Sequence, residues 1–139
     1  MSGTTTIIEA GSSDILVESV QLSQEFLNQT LARINLIPAL QEEKPININQ
    51  WVSSITMDVG TYVEITTLIT RMILKRHKQT IAGARESHIH LLFVMKGINQ
   101  AHHKGDLVAL EDLIKYELKD NLTQWKIDLI PQAKRFMSA

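Results

Sequence analysis

Between Asp106 and Pro131 the chain repeats one pattern so regularly that few folds can hold it. Leu107, Leu110, Ile114, Leu118, Leu122, Trp125 and Leu129 follow one another at steps of three or four residues. On an α-helix, with 3.6 residues per turn, these side chains form one continuous apolar seam. On a strand they would scatter over both faces. Glu111, Asp112, Lys115, Glu117, Lys119 and Lys126 stand between them and make the opposite, solvated face. Glu111 and Lys115 form an i, i+4 pair in the favourable order, worth about 0.3 kcal/mol. Asp106 suits the N-cap of this helix, and Gly105 suits the left-handed residue that closes the one before. Pro131 has no N–H to donate and is expected to end the pattern.

A seam of that length needs other seams to cover it, and the chain supplies three. In the first, Asp14 is a candidate cap, and Leu16, Val20, Leu27, Leu31 and Ile34 share a face until Pro38. In the second, Asn47 with Gln50 resembles a capping box, and Ile46 with Trp51 a hydrophobic staple. Trp51, Ile55, Val59, Tyr62, Val63, Ile69 and Ile73 follow on one stripe. The stretch "ITMDVGTYVEITTLIT" is rich in β-branched residues, and local propensity there favours a strand. Strict alternation is missing, however, while the three-four spacing persists, so a helix is expected, closing at "LKRHK". Gly60 inside it costs about 1 kcal/mol against alanine, and a closely approaching neighbour helix would explain it. The third helix follows the loop "QTIAGARES", with Gly83 as turn residue and Glu86 or Ser87 as its opening. Leu91, Val94, Met95, Ile98 and Ala101 face inward. Its "LLFVM" is apolar all round, which calls for a central position or a partner on the outer side.

With 139 residues, 44% hydrophobic and 21% charged, one domain accommodates all of this. The expected fold is all-α, a four-helix up-down-up-down bundle over residues 14–130. A flexible tail over residues 1–13 precedes it and a short basic tail over 131–139 follows. No apolar run approaches the roughly 20 residues that span a bilayer. "MSGTTTIIEAGSSD" lacks the basic start and apolar centre of a secretion signal, so a cytoplasmic location is expected.

Composition removes whole classes of chemistry. There are no cysteines, so disulfides, thiolate metal sites and a cysteine nucleophile are excluded. No glycine-rich phosphate loop and no nucleophile elbow is present, and no cofactor is implied. Glu42–Glu43 and Glu111–Asp112 are adjacent pairs, which diverge on a helix and do not converge on one substrate. The net charge is −1, but it is unevenly spread. Residues 1–50 carry two basic and six acidic side chains; residues 71–104 carry seven basic ones against Glu86 alone.

Four of the five histidines lie in "HIHLLFVMKGINQAHHKGD". His88 and His90 point about 200° apart on a helix, and His88 and His102 are about 21 Å apart along it, so a common metal is not indicated. Surface or helix-end positions are expected, with His102 and His103 favoured by the helix dipole. The alternative is a metal-dependent enzyme using His88 or His90 with an acidic residue of another helix. "RMILKRHK" is the best candidate binding patch, with Arg71, Lys75 and Lys78 on one helical face and Arg76 beside them. Nucleic-acid binding through this patch is a second alternative, disfavoured by the neutral total and the lack of interleaved aromatics. Tyr116 or Trp125, if exposed in a groove, would mark a protein-binding surface.

At "GDLVALEDLIKYELKDNLTQW" the chain resembles small helical proteins of motile Firmicutes and related bacteria that are associated with flagellar genes. The likeness extends from residue 14 to residue 130 and includes "LARINLIPALQ" and "NQWVSSITMDVGTYVEITTLI". It implies a helical interaction protein and carries no catalytic residues. Flagellar export chaperones share the architecture of small helical bundles. The expected function is therefore a non-enzymatic, chaperone-like bundle that binds a protein partner, itself included as a homodimer.

Overall fold

The computed structural model describes residues 11–36 and 47–137. Over them the chain forms four helices and no strand. The first, α1, is Gly11–Leu36 and the second, α2, is Ile48–His77. The third, α3, is Ala84–Lys104. The fourth, α4, runs unbroken over residues 107–135, with π-helical turns at Leu113–Leu118 and Trp125–Leu129. The expectations for Pro38, Ile46 and Glu42–Glu43 lie outside the described residues.

The seams read from spacing are the core. Every seam residue of α1 is buried, as are all those of α2 except the half-buried Val63. In α3, Met95 is half-buried and the others are buried; in α4, only Leu107 is half-buried. Trp125 of α4 sits edge-on to Tyr62 of α2, ring centroids 5.8 Å apart at 87°. Such a pair adds about 1 kcal/mol beyond its area. Around this core α2 packs most extensively on α1, and α4 on both α1 and α3. The contact between α2 and α3 is thinner.

The caps at the later joints match the sequence pattern. The Asn47 side chain accepts from the Gln50 N–H at 3.0 Å, and the Asp106 carboxylate from the Ala109 N–H at 3.1 Å. Gly83 and Gly105 both hold the left-handed backbone, at φ 87° and 71°. Lys78 ends α2 in the same conformation, at φ 57°, and donates its N–H to the Leu74 carbonyl. The β-branched stretch is helical throughout. Two of its threonines turn their hydroxyls back to the preceding turn, Thr66 to Tyr62 and Val63 and Thr70 to Thr67.

Four expectations are corrected. Helix α1 is already formed at Gly11, so Asp14 lies inside it and not at its cap. Helix α3 opens at Ala84, two residues before Glu86. Pro131 does not end α4, which continues to Arg135 with Ala133 buried. The proline follows directly on a π-helical turn, where the widened backbone absorbs a residue with no N–H to give. Gly60 is exposed, and a Cβ built there meets nothing within 4 Å. The close approach occurs at Gly97 instead, where a Cβ would lie 3.2 Å from a Leu113 methyl.

That contrast predicts opposite tolerance at two glycines of similar helical setting. Gly60→Ala should stabilise the protein by about 1 kcal/mol, the helix-propensity difference with no steric penalty. Gly97→Ala should gain distinctly less or lose stability. Urea unfolding of both variants checks this, and equal gains would contradict the packing of α3 on α4.

Candidate functional site

The thin contact between α2 and α3 leaves a groove of about 730 Å³ near the loop that joins them. Arg71 and Leu74 line it from α2; Arg85, Ile89 and Leu92 line it from α3. The joining loop closes one end and is held firmly. Ile81 is buried, and the Gln132 amide of α4 clamps Ala82, accepting from its N–H at 3.1 Å and donating to its carbonyl at 3.2 Å.

His88 sits on the inner wall of this groove. Its Nε2 lies 2.8 Å from the Thr66 hydroxyl of α2, and its ring tilts against Trp125 at 5.0 Å. Because the Thr66 O–H is directed to backbone carbonyls, its oxygen is the acceptor, which makes His88 Nε2 the donor. Burial pushes the His88 imidazole below the ordinary histidine range, since a charge there is poorly solvated. The ring is thus a neutral wedge where three helices meet.

The other histidines diverge, and each except His103 makes a cross-helix contact. His90 Nδ1 is 3.0 Å from the Asn121 amide nitrogen, which also donates to the Ser87 carbonyl at 3.0 Å. Its Nε2 faces Glu117 at 3.4 Å. His102 Nε2 is 2.6 Å from Asn49 Oδ1 and joins the end of α3 to the start of α2. The His77 ring lies tilted against Phe136 at 5.0 Å. Among the described residues no group of three or more His, Asp or Glu side chains is arranged to hold a metal ion. Near the other end of α1, Arg33 pairs with Asp58 and donates to Ser54 at 2.8 Å. That polar clasp fixes α1 on α2, and no motif announced it.

The residues singled out from sequence separate into three places. Arg71 lines the groove, and Lys75 and Lys78 are exposed on the same stretch of α2. Arg76 is exposed and reaches the Met72 sulfur at 3.8 Å. Tyr116 is 64% exposed on α4, beside a shallow hollow with Ile34 and Lys119 and away from the groove. Trp125 is 1% exposed and offers no surface to a partner, because its ring is the centre of the core. Arg85, Ile89 and Leu92 were not among the candidates. Only Leu92 had a signal in the sequence, the all-round apolar "LLFVM", in which Leu92 and Phe93 are 60% and 69% exposed.

Among the described residues no helix is long and apolar enough to cross a membrane. Comparison of the chain with family models, curated proteins and solved structures finds no match.

The His88 environment fixes a sign for the pH dependence of folding. Its folded-state pKa lies below the unfolded value of about 6.5, so the unfolded chain takes up the proton first. This contribution to stability is full above about pH 6.5 and is lost as pH falls from there toward the lowered folded value. His88→Gln should flatten that part of the curve. Urea midpoints of both proteins at pH 7.5 and 5.5 test it, and identical slopes would contradict the buried neutral ring.

Proposed function

We propose that this chain is a non-enzymatic helical bundle that works by binding protein through the face between α2 and α3. The supporting observation is the groove, where exposed apolar side chains from two helices stand beside Arg71 and Arg85 on a rigid frame. Exposed leucines scattered singly need no explanation, but Leu74, Ile89 and Leu92 line one groove together, and Phe93 is exposed next to Leu92. A groove between helices with apolar walls and a cationic margin suits a protein surface, with arginine and aromatic residues as anchors. Leucines between the cations suit a phosphate backbone poorly, because they would be covered without gain.

In this reading the four helices alternate up and down. Asn49 meets His102 while Thr66 meets His88, and Gly97 lies by Leu113 while Ser87 lies by Asn121. Rising positions on one helix thus meet falling positions on the next, which supports antiparallel neighbours. The resemblance of the fourth helix to flagellum-associated proteins supports a cytoplasmic role in flagellar or secretion-related assembly.

A photo-reactive residue placed at Phe93 in living cells should give discrete protein adducts, and the same residue at exposed Lys126 should not. Phe93→Ser should leave stability within about 0.5 kcal/mol, since the ring is already in water. Adducts no more frequent at position 93 than at 126 would remove this function.

A further inference from the structure

We infer that the groove between α2 and α3 receives the outer face of α1 from a second copy of this chain; the inference rests on the protein-binding reading above. The outer face of α1 carries Ile15, Glu18, Leu22 and Glu25 at steps of three, four and three, all exposed. No basic residue stands in α1 before Arg33, and Arg33 is engaged with Asp58. This stripe is an acidic amphipathic helix face with nothing of opposite sign on it.

The groove has the reverse character. Arg71 and Arg85 line it, Lys75, Lys78 and Lys96 are exposed on the adjoining stretches, and none of the five makes an ion pair among the described residues. Glu86 is the one acidic side chain on the groove wall. The spacing also agrees. Glu18 and Glu25 are seven residues apart on α1, about 10.5 Å, and Arg71 of α2 and Lys78, the left-handed residue directly after it, are likewise seven apart in sequence. Leu22 lies between the acids, and Leu74 lies between the cations. Two straight helices laid along each other can therefore pair both charges and bury the leucines.

The groove walls are helices, so no free sheet edge exists to bind an extended strand through its backbone. A helix satisfies its own backbone hydrogen bonds and needs only side-chain complementarity. The two surfaces lie on different helices, so the contact is heterologous, and each copy offers both halves. A chain with net charge −1 but separate acidic and basic faces has this complementarity built in.

Sedimentation velocity of the full chain, from about 5 to 500 µM in low salt, tests the proposal. The sedimentation coefficient should rise with concentration, and 0.5 M NaCl should reduce the rise. Glu18→Lys/Glu25→Lys and Arg71→Glu/Lys78→Glu should each weaken association about tenfold or more, with melting curves showing both still folded. Mixing the two variants should restore it, because each then supplies the charge the other needs. A wild-type chain monomeric throughout overturns the inference, as does association indifferent to both charge reversals. Sensitivity to the Arg71/Lys78 pair but not to the Glu18/Glu25 pair overturns the assignment to α1. Phe93 adducts that persist in any of these cases leave the protein-binding reading standing with a different partner.

Discussion

Three helices meet on the Trp125 ring, and the rest of the molecule is arranged around that meeting. Tyr62 approaches it edge-on from α2 and His88 lies tilted against it from α3. The indole N–H of Trp125 and the hydroxyl of Tyr62 are buried without a hydrogen-bond partner among the described residues. Each such group costs about 1–3 kcal/mol. Against that cost stands the burial of two large rings, both almost wholly removed from water. Burial also drives the Tyr62 phenol well above its ordinary pKa, which keeps it protonated.

The groove follows from how α3 is placed at this junction. Gly97 lets α3 close down on α4, with Leu113 filling the space a Cβ would take. His88 then stands between α3 and α2 as a half-buried spacer tied to Thr66. Drawn toward α4 on one side and propped by an imidazole on the other, α3 cannot also close on α2. Its outer residues Ile89 and Leu92 are left facing Leu74 across open solvent. The two π-helical turns of α4 serve the same geometry. From Leu107 to Ala133 the inward residues average about 3.7 per turn, slightly more than a regular helix gives. Widened turns keep the seam facing the core over its whole length.

How far this was legible in the sequence depends on what each feature requires. Seams need only period, and period is written along the chain; hence the core of α4, and the helical reading of the β-branched stretch in α2, could be read directly. Gly60 and Gly97 look alike in sequence, yet only Gly97 meets a neighbour, because closeness depends on which helix lies opposite. Pro131 lies inside α4, where a linear pattern implies an end, because the rule for proline in helices presumes regular turns and a π-helical turn relaxes it. The histidines were correctly read as diverging, but their cross-helix partners Thr66, Asn121 and Asn49 lie 22, 31 and 53 residues away in sequence. The groove was half legible. Its cations were found as a basic stretch on one helix, and its apolar wall as an unexplained excess on another. Nothing in a linear pattern puts the two together.

That division bears on why the groove exists at all. A bundle of this size could bury Leu92 and Phe93 by turning α3 a fraction of a turn about its own axis. The cost would be to bring Leu91 and Val94, now 0% and 4% exposed, toward solvent. With apolar residues on all sides of "LLFVM", no rotation of α3 hides every one of them inside a single chain. The surplus is therefore set by the sequence of α3 and not by an accident of packing. Arg71 and Arg85 line the groove beside it, so a surface of opposite charge would be needed to cover it. The acidic stripe of α1 meets that requirement in both charge and spacing. Under the proposed self-association, the local excess of apolar side chains and the segregation of charge along the chain share a single physical cause.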